Sequence, residues 1–249
     1  MQSVRIRISQ KIYLIYFLIT ILLIPPFVTS MMSKTPNSIK LYYWDFAFWR
    51  AECVRLALFC GDVPFEDVRD AKKDDMKAAG KLAFGALPVM EVDGKILSQT
   101  QAMAVYSAKI AGIHPSDPWF AAKVDEVING CTDVTSTIGS TFSMEATEKI
   151  KVRETLAAEG GRLRMHMGGL EKLCIENGNN GYTVSETTTV SDFALWRLAG
   201  WFSSGNLDGI QKDYISSNFP AITKVVNTVE AMPKVQEWKI KHPKTYSSN

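Results

Sequence analysis

Residues 87–101 read LPVMEVDGKILSQTQ. Leu87–Val92 is a mostly apolar, β-rich run, Asp93-Gly94 is a turn pair suited to a tight hairpin, and Lys95–Ser98 brings the chain back. Thr100–Ala111 then sets Met103, Tyr106 and Ile110 on one side of a helix. Upstream, Ile39–Trp44 is a short β-rich run. Arg50–Gly61 follows with Val54, Ala57 and Leu58 at helical spacing and closes on a glycine. Pro64–Arg69 alternates as a second strand, and the charged stretch Asp70–Lys81 reads as a loop.

The order is strand, helix, strand, then hairpin, helix. Within residues 39–111 this is the order that an α/β thioredoxin-like domain requires. Gly112–Pro118 (GIHPSDP) is dense in chain breakers and reads as a linker. Over residues 119–244 helical periodicity takes over, so the second domain is expected to be all-helical. Leu156, Leu163 and Leu170 recur every seven residues, with Met167 and Cys174 on the same face, which predicts one long helix buried on one side. Thr189-Val-Ser-Asp192 sets a Thr N-cap three residues before an acid that can reach back to its amide, ahead of Phe193, Trp196 and Ala199. This is a helix start whose role is stability.

The 249 residues carry 28 Lys and Arg against 26 Asp and Glu with 46% apolar content, which excludes a disordered polyelectrolyte. Arg5, Arg7 and Lys11 are the only charges in residues 1–30; without them 25 basic residues face 26 acidic ones, and no basic run remains to displace phosphate counterions. Nucleic acid is therefore not an expected partner. Ile12–Ile24 is apolar apart from Tyr13, Tyr16 and Thr20 and ends at Pro25-Pro26. As a helix it would reach about 20 Å against a hydrocarbon core of about 30 Å, so a signal peptide fits better than a span. A tilted anchor over residues 12–28 is the alternative, and would be the only membrane contact. A third reading starts translation at Met31 or Met32 and leaves a cytoplasmic chain. In every case residues 1–30 lie outside the fold. Cys53, Cys60, Cys131 and Cys174 form no CxxC pair, and His114, His166 and His242 stand far apart, so reduced thiols and no metal are expected.

Several ordered motifs carry a family resemblance: Lys40-Leu-Tyr-Tyr-Trp44, Arg50-Ala-Glu52, Phe84-Gly-Ala-Leu-Pro88, Glu91-Val-Asp-Gly94 and Gln99-Thr-Gln101, then Thr189–Asp192, Leu207-Asp-Gly-Ile210, Phe219-Pro220 and Met232-Pro-Lys-Val235 through Trp238. From Ile39 to Lys244 the chain resembles the soluble glutathione S-transferases, their sigma-like, tyrosine-type branch above all. The resemblance implies a homodimeric enzyme of glutathione metabolism and detoxification. Its co-substrate is glutathione, it holds no tightly bound cofactor, and it attacks an apolar electrophile. Tyr43 stands where that branch places its catalytic tyrosine, and Arg50 is similar to an arginine supporting it. Leu87-Pro88 resembles the cis-proline step that offers backbone groups to the cysteinyl part of glutathione. Gln99 and Thr100 fall where the γ-glutamyl carboxylate is held, and Asp133 where an acid reaches the glutathione amino group across the dimer interface.

The physical logic is that a thiol of pKa about 8.5 is mostly protonated at neutral pH, whereas a phenol donating to the sulfur favours the thiolate. Counted back from Arg50-Ala-Glu52, the chain carries one extra residue in the turn, a register that would put Trp44 in the catalytic place. The strand register Lys40-Leu-Tyr-Tyr favours Tyr43, because loops accept insertions more readily than strands accept slips. The usual Trp and Lys for the glycyl carboxylate are missing, with Lys77 and Lys81 as approximate substitutes, and Ala86 replaces a polar residue. Phe142 and Met144 are candidates to line the electrophile cleft. Glutathione-dependent isomerases and peroxidases of the same fold, and a non-catalytic relative with a decayed site, are the competing readings.

Overall fold

The computed structural model describes residues 36–246, so the apolar run at residues 12–28 lies outside the described part. All elements below belong to one compact unit, Asn37–Asn249. Strand β1 (Ile39–Tyr42) leads to α1 (Trp49–Cys60), β2 (Glu66–Val68), α2 (Lys73–Ala78), β3 (Val89–Val92), β4 (Lys95–Ser98) and α3 (Thr100–Ile110). The sheet runs β2-β1-β3-β4, with β2 parallel to β1 and both β3 and β4 antiparallel to their neighbours. Asp93 and Gly94 take the positive φ values that a tight hairpin needs, 46° and 80°. Helices follow: α4 (Pro118–Gly139), α5 (Ala146–Ala157), α6 (Arg162–Glu176), α7 (Val190–Ser203), α8 (Tyr214–Asn218), α9 (Pro220–Glu230), α10 (Pro233–Lys241) and α11 (Pro243–Tyr246). This is a thioredoxin-like α/β layer followed by an all-helical region. No described helix is long and apolar enough to cross a membrane.

Helix α1 is the hinge of the packing. Ala51, Cys53, Val54, Leu56, Ala57 and Leu58 are all fully buried, because α1 packs against both α3 and α7. An all-round buried helix has no polar face to keep wet, and its two fully buried charges, Glu52 and Arg55, pair with each other. Helix α7 begins as expected: the Asp192 carboxylate accepts the Thr189 backbone N–H at 2.6 Å. It also takes the backbone N–H and hydroxyl of Thr183, at 2.7 and 2.9 Å. Helix α4 starts at Pro118 behind Asp117, whose carboxylate caps Trp119 and Phe120.

Two expectations are corrected. Part of the charged stretch Asp70–Lys81 forms the short helix α2, anchored by its buried residue Met76. The long helix expected through Leu156, Leu163 and Leu170 is two helices, α5 and α6. The break has a local cause: Gly160 adopts φ 76°, and a Cβ on Gly161 would lie 2.4 Å from the carbonyl oxygens of Thr155 and Leu156. The apolar face resumes beyond the break, with Leu163, Met167, Leu170 and Cys174 buried. Gly161→Ala is expected to cost about 2 kcal/mol by overpacking, read as a lower urea midpoint; an unchanged midpoint would mean that the break rebuilds freely.

Candidate functional site

Side chains alternate along β1, so Ile39, Leu41 and Tyr43 share one buried face. Lys40 and Tyr42 turn to the other, where the Tyr42 hydroxyl donates to Glu91 at 3.4 Å and Lys81 pairs with Glu91 at 2.8 Å. Lys81 is thus engaged on the face opposite Tyr43, and Lys77 is exposed on α2. Pairing carries the other end of the sheet to one corner. Tyr42 lies opposite Val89 and Val89 opposite Ser98, so Tyr43, Pro88 and Gln99 are the residues that adjoin the last paired positions at this end of the sheet. The Leu87–Pro88 bond is cis. Gln99 is exposed and holds φ 74°, ψ 124°, a conformation that non-glycine residues rarely adopt; it hands the chain to half-buried Thr100, the first residue of α3. The first amides of α3 lack intrahelical partners, so this corner combines free N–H groups with a positive helix end. Tyr43, Leu87, Pro88, Gln99 and Thr100 therefore gather at one sheet corner.

Tyr43 is 3% exposed, with the Trp44 and Phe46 rings each 5.2 Å from its own and the Arg55 guanidinium 5.9 Å above it. Burial pushes its phenol up to about 12, while the charges of Arg50 and Arg55 pull the other way. At neutral pH it is a protonated donor, and no hydrogen bond of its hydroxyl is found among the described residues. Trp44 is 40% exposed and its backbone bridges to Asp70, past the end of the strand. Asp133 is elsewhere. It lines a groove of about 590 Å³ between α4 and α6 with Lys123, Asn129 and His166, whose Nδ1 lies 4.0 Å from its carboxylate.

The turn at residues 44–48 is gripped by three arginines that sequence reasoning did not assign. Arg55 donates to the Trp44 carbonyl at 3.2 Å, Arg69 to the Asp45 carboxylate at 2.7 Å, and Arg197 of α7 twice to the Ala47 carbonyl, at 3.1 and 2.8 Å. Behind them is a chain of buried charges. Arg55 donates to Glu52 at 3.0 Å and to Asp67 at 2.9 Å, and Asp67 takes Arg69 at 2.7 Å. The second oxygen of Glu52 accepts the Trp238 indole N–H at 2.6 Å and the Tyr246 hydroxyl. The signal in the sequence was Glu52 and Arg55 three residues apart in a helix whose remaining residues, Arg50 at its start excepted, are apolar. Rings continue from Tyr43 outward: Phe46 to Phe48 at 6.1 Å, Phe48 edge-on to Trp201 at 5.1 Å, and Trp201 to Phe142 at 6.4 Å. Phe142 is 56% exposed and Met144 half-exposed.

Fold and corner together define a thioredoxin-like domain with an appended helical region and a tyrosine at the end of its first strand. Residues 132–242 match the family model of the glutathione S-transferase C-terminal domain. The chain is 28% identical to glutathione S-transferase 1 of Ascaris suum, over 83% of this chain and 97% of that one. It superposes on prostaglandin synthase D of Nilaparvata lugens with a TM-score of 0.70 at 28% identity, covering 82% and 98% of the two chains. It also superposes on Na-GST-3 of Necator americanus, described as monomeric, with a TM-score of 0.66 at 25% identity, covering 82% and 97%. Over most of its length the chain is thus similar to glutathione S-transferases, and its residues 132–242 match their C-terminal domain.

Burial pushes the Glu52 carboxyl up, but the charge of Arg55 and the hydrogen bonds from Tyr246 and Trp238 outweigh it and hold the group below its usual range. A carboxylate depressed in the folded state contributes stability above its unfolded pKa, about 4.3, and loses it as pH falls through the folded value. Glu52→Gln leaves Arg55 with one partner fewer in a buried site, so a loss of about 3 kcal/mol at pH 7 is expected, with a flatter decline in stability below about pH 4. Urea unfolding from pH 7 down to 3 reads both; a midpoint equal to wild type at pH 7 would remove the buried pair from this account.

Proposed function

We propose that the chain is a glutathione transferase of the sigma-like, tyrosine type in which Tyr43 activates the thiol. The observation that carries this reading is a buried, protonated phenol beside two arginines, at the same end of the sheet as the cis-proline step and the start of α3. In this reading the Leu87 backbone pairs with the cysteinyl part of glutathione, Gln99 and Thr100 hold the γ-glutamyl carboxylate at the helix end, and Arg50 reinforces the positive field around the sulfur. The thiol proton leaves to solvent, the Tyr43 hydroxyl donates to the thiolate, and the sulfur attacks an electrophile with loss of a leaving group or addition across a polarised double bond. Residues 39–111 hold glutathione, and the apolar wall for the second substrate is shared, with Phe46 and Phe48 from this part and Trp201 and Phe142 from residues 119–244. No resident metal or cofactor enters the scheme. Asp133, on its separate groove, serves the partner subunit of a homodimer, detoxification is the expected role, and the cytoplasm is the expected compartment where translation starts at Met31 or Met32. The likeness to a prostaglandin synthase favours a second reading, glutathione-dependent isomerisation at the same site. A cyclic peroxide offered with glutathione distinguishes the two: isomerisation returns glutathione unconsumed.

Tyr43→Phe is expected to raise the pKa of bound glutathione by about 1–2 units, the worth of one hydrogen bond to a charged group, and to lower turnover at neutral pH roughly tenfold to a hundredfold, with little change in glutathione affinity. Trp44→Phe is the matched control. Ultraviolet titration of the bound thiolate reads both variants, and a larger loss in Trp44→Phe would move the donor to the indole. Trp201→Ala, which opens the aromatic path without touching the sheet corner, is expected to raise KM for apolar electrophiles about tenfold, with that for glutathione unchanged. Equal changes in both constants would place Trp201 outside the electrophile cleft.

A further inference from the structure

Tyr246 closes α11, far along the chain from the sheet and outside every motif quoted for the site, yet it meets two of the grips on the turn at residues 44–48. Its hydroxyl donates to Glu52, which holds Arg55, which donates to the Trp44 carbonyl. Its ring lies 5.3 Å from the Arg197 guanidinium and stacks on Trp196 at 6.2 Å, and Arg197 holds the Ala47 carbonyl from the other side. The preceding residue brackets the same turn: the Thr245 hydroxyl donates to Asp45 at 2.6 Å and accepts from Arg69 at 2.8 Å. Tyr246 is 8% exposed, so one buried side chain joins two arginine clamps that come from different helices.

We propose that Tyr246 is the positioning residue of the turn: its hydroxyl keeps Arg55 on Trp44, its ring keeps Arg197 on Ala47, and through the turn it sets the depth of Tyr43. The last part rests on the reading of Tyr43 as the thiol donor. The geometry separates this role from substrate binding, because the glutathione corner is built by β3, β4 and α3, none of which Tyr246 touches in the contacts described. Loss of Tyr246 therefore acts on the thiol and on kcat, and leaves KM for glutathione in place.

The test uses the full chain with Tyr246→Phe, which deletes the hydroxyl alone, and Tyr246→Leu, which also deletes the ring contact with Arg197. Tyr214→Phe is the control, since it removes a buried hydroxyl bonded to the Ala157 carbonyl, in the helical region and away from the turn. Two readouts are taken: amide hydrogen exchange over residues 43–48, whose N–H groups at Tyr43, Phe46 and Phe48 are hydrogen-bonded, and titration of the bound glutathione thiol. Tyr246→Phe is expected to speed exchange in that segment and lower kcat by roughly fivefold, the worth of one hydrogen bond, and Tyr246→Leu by more. Tyr214→Phe should leave both at the wild-type level. Unchanged exchange over residues 43–48 in both Tyr246 variants, or an equal effect of Tyr214→Phe, would overturn the proposal. Should Tyr246→Leu fail to fold, Tyr246→Phe decides alone. A wild-type protein that binds glutathione without lowering its thiol pKa would sink the thiol-donor reading instead, and the exchange arm would still decide whether Tyr246 holds the turn.

Discussion

The fully buried ion pair of Glu52 and Arg55 is the constraint around which the rest is arranged. Two charges in an apolar helix are costly to desolvate, and such a pair is tolerated only when its remaining hydrogen-bonding capacity is met. Here it is met from every direction: Asp67 in β2, the Trp44 carbonyl in the turn, Trp238 in α10 and Tyr246 in α11. The requirement to satisfy one carboxylate and one guanidinium thus ties the sheet, the turn and the last described helices to α1. Rigidity at the sheet corner follows from it, since the turn beside Tyr43 cannot shift without stripping a partner from a buried charge.

Much of this was legible in the residues. The hairpin around Asp93-Gly94, the helix from Thr100 and the cap at Thr189–Asp192 were readable because each depends on chemistry local to a few positions. The burial of Tyr43 was readable for a similar reason: strand alternation commits Ile39, Leu41 and Tyr43 to one face whatever the turn does. The break between α5 and α6 was hidden, because the heptad of Leu156, Leu163 and Leu170 survives it and only Gly160 and Gly161 betray the interruption. Helix α2 was hidden for the opposite reason, six residues with a single buried anchor being too short for any periodicity. The arginine grips were beyond reach altogether. Arg69 and Arg197 are unremarkable in sequence, and their roles arise from partners far along the chain.

The turn after β1 carries the aromatic rings Trp44, Phe46 and Phe48, and its carbonyls at Trp44 and Ala47 accept from Arg55 and Arg197. The outcome is a phenol sealed to 3% exposure at the edge of a ring-lined path, an environment of low polarity in which a single hydrogen bond counts for more than it would in water.

The sequence distances within the buried network also dictate when it can exist. Glu52 finds Trp238 and Tyr246 at separations of 186 and 194 residues. During synthesis the α/β layer is complete long before those residues leave the ribosome, so a nascent chain carries Glu52 with Arg55 but without Trp238 and Tyr246. The sheet can form early; the set of partners around Glu52 is complete only when α10 and α11 dock. Assembly of the site is therefore coupled to completion of the helical region, and a nascent chain stalled before residue 238 would hold a folded sheet without a finished corner.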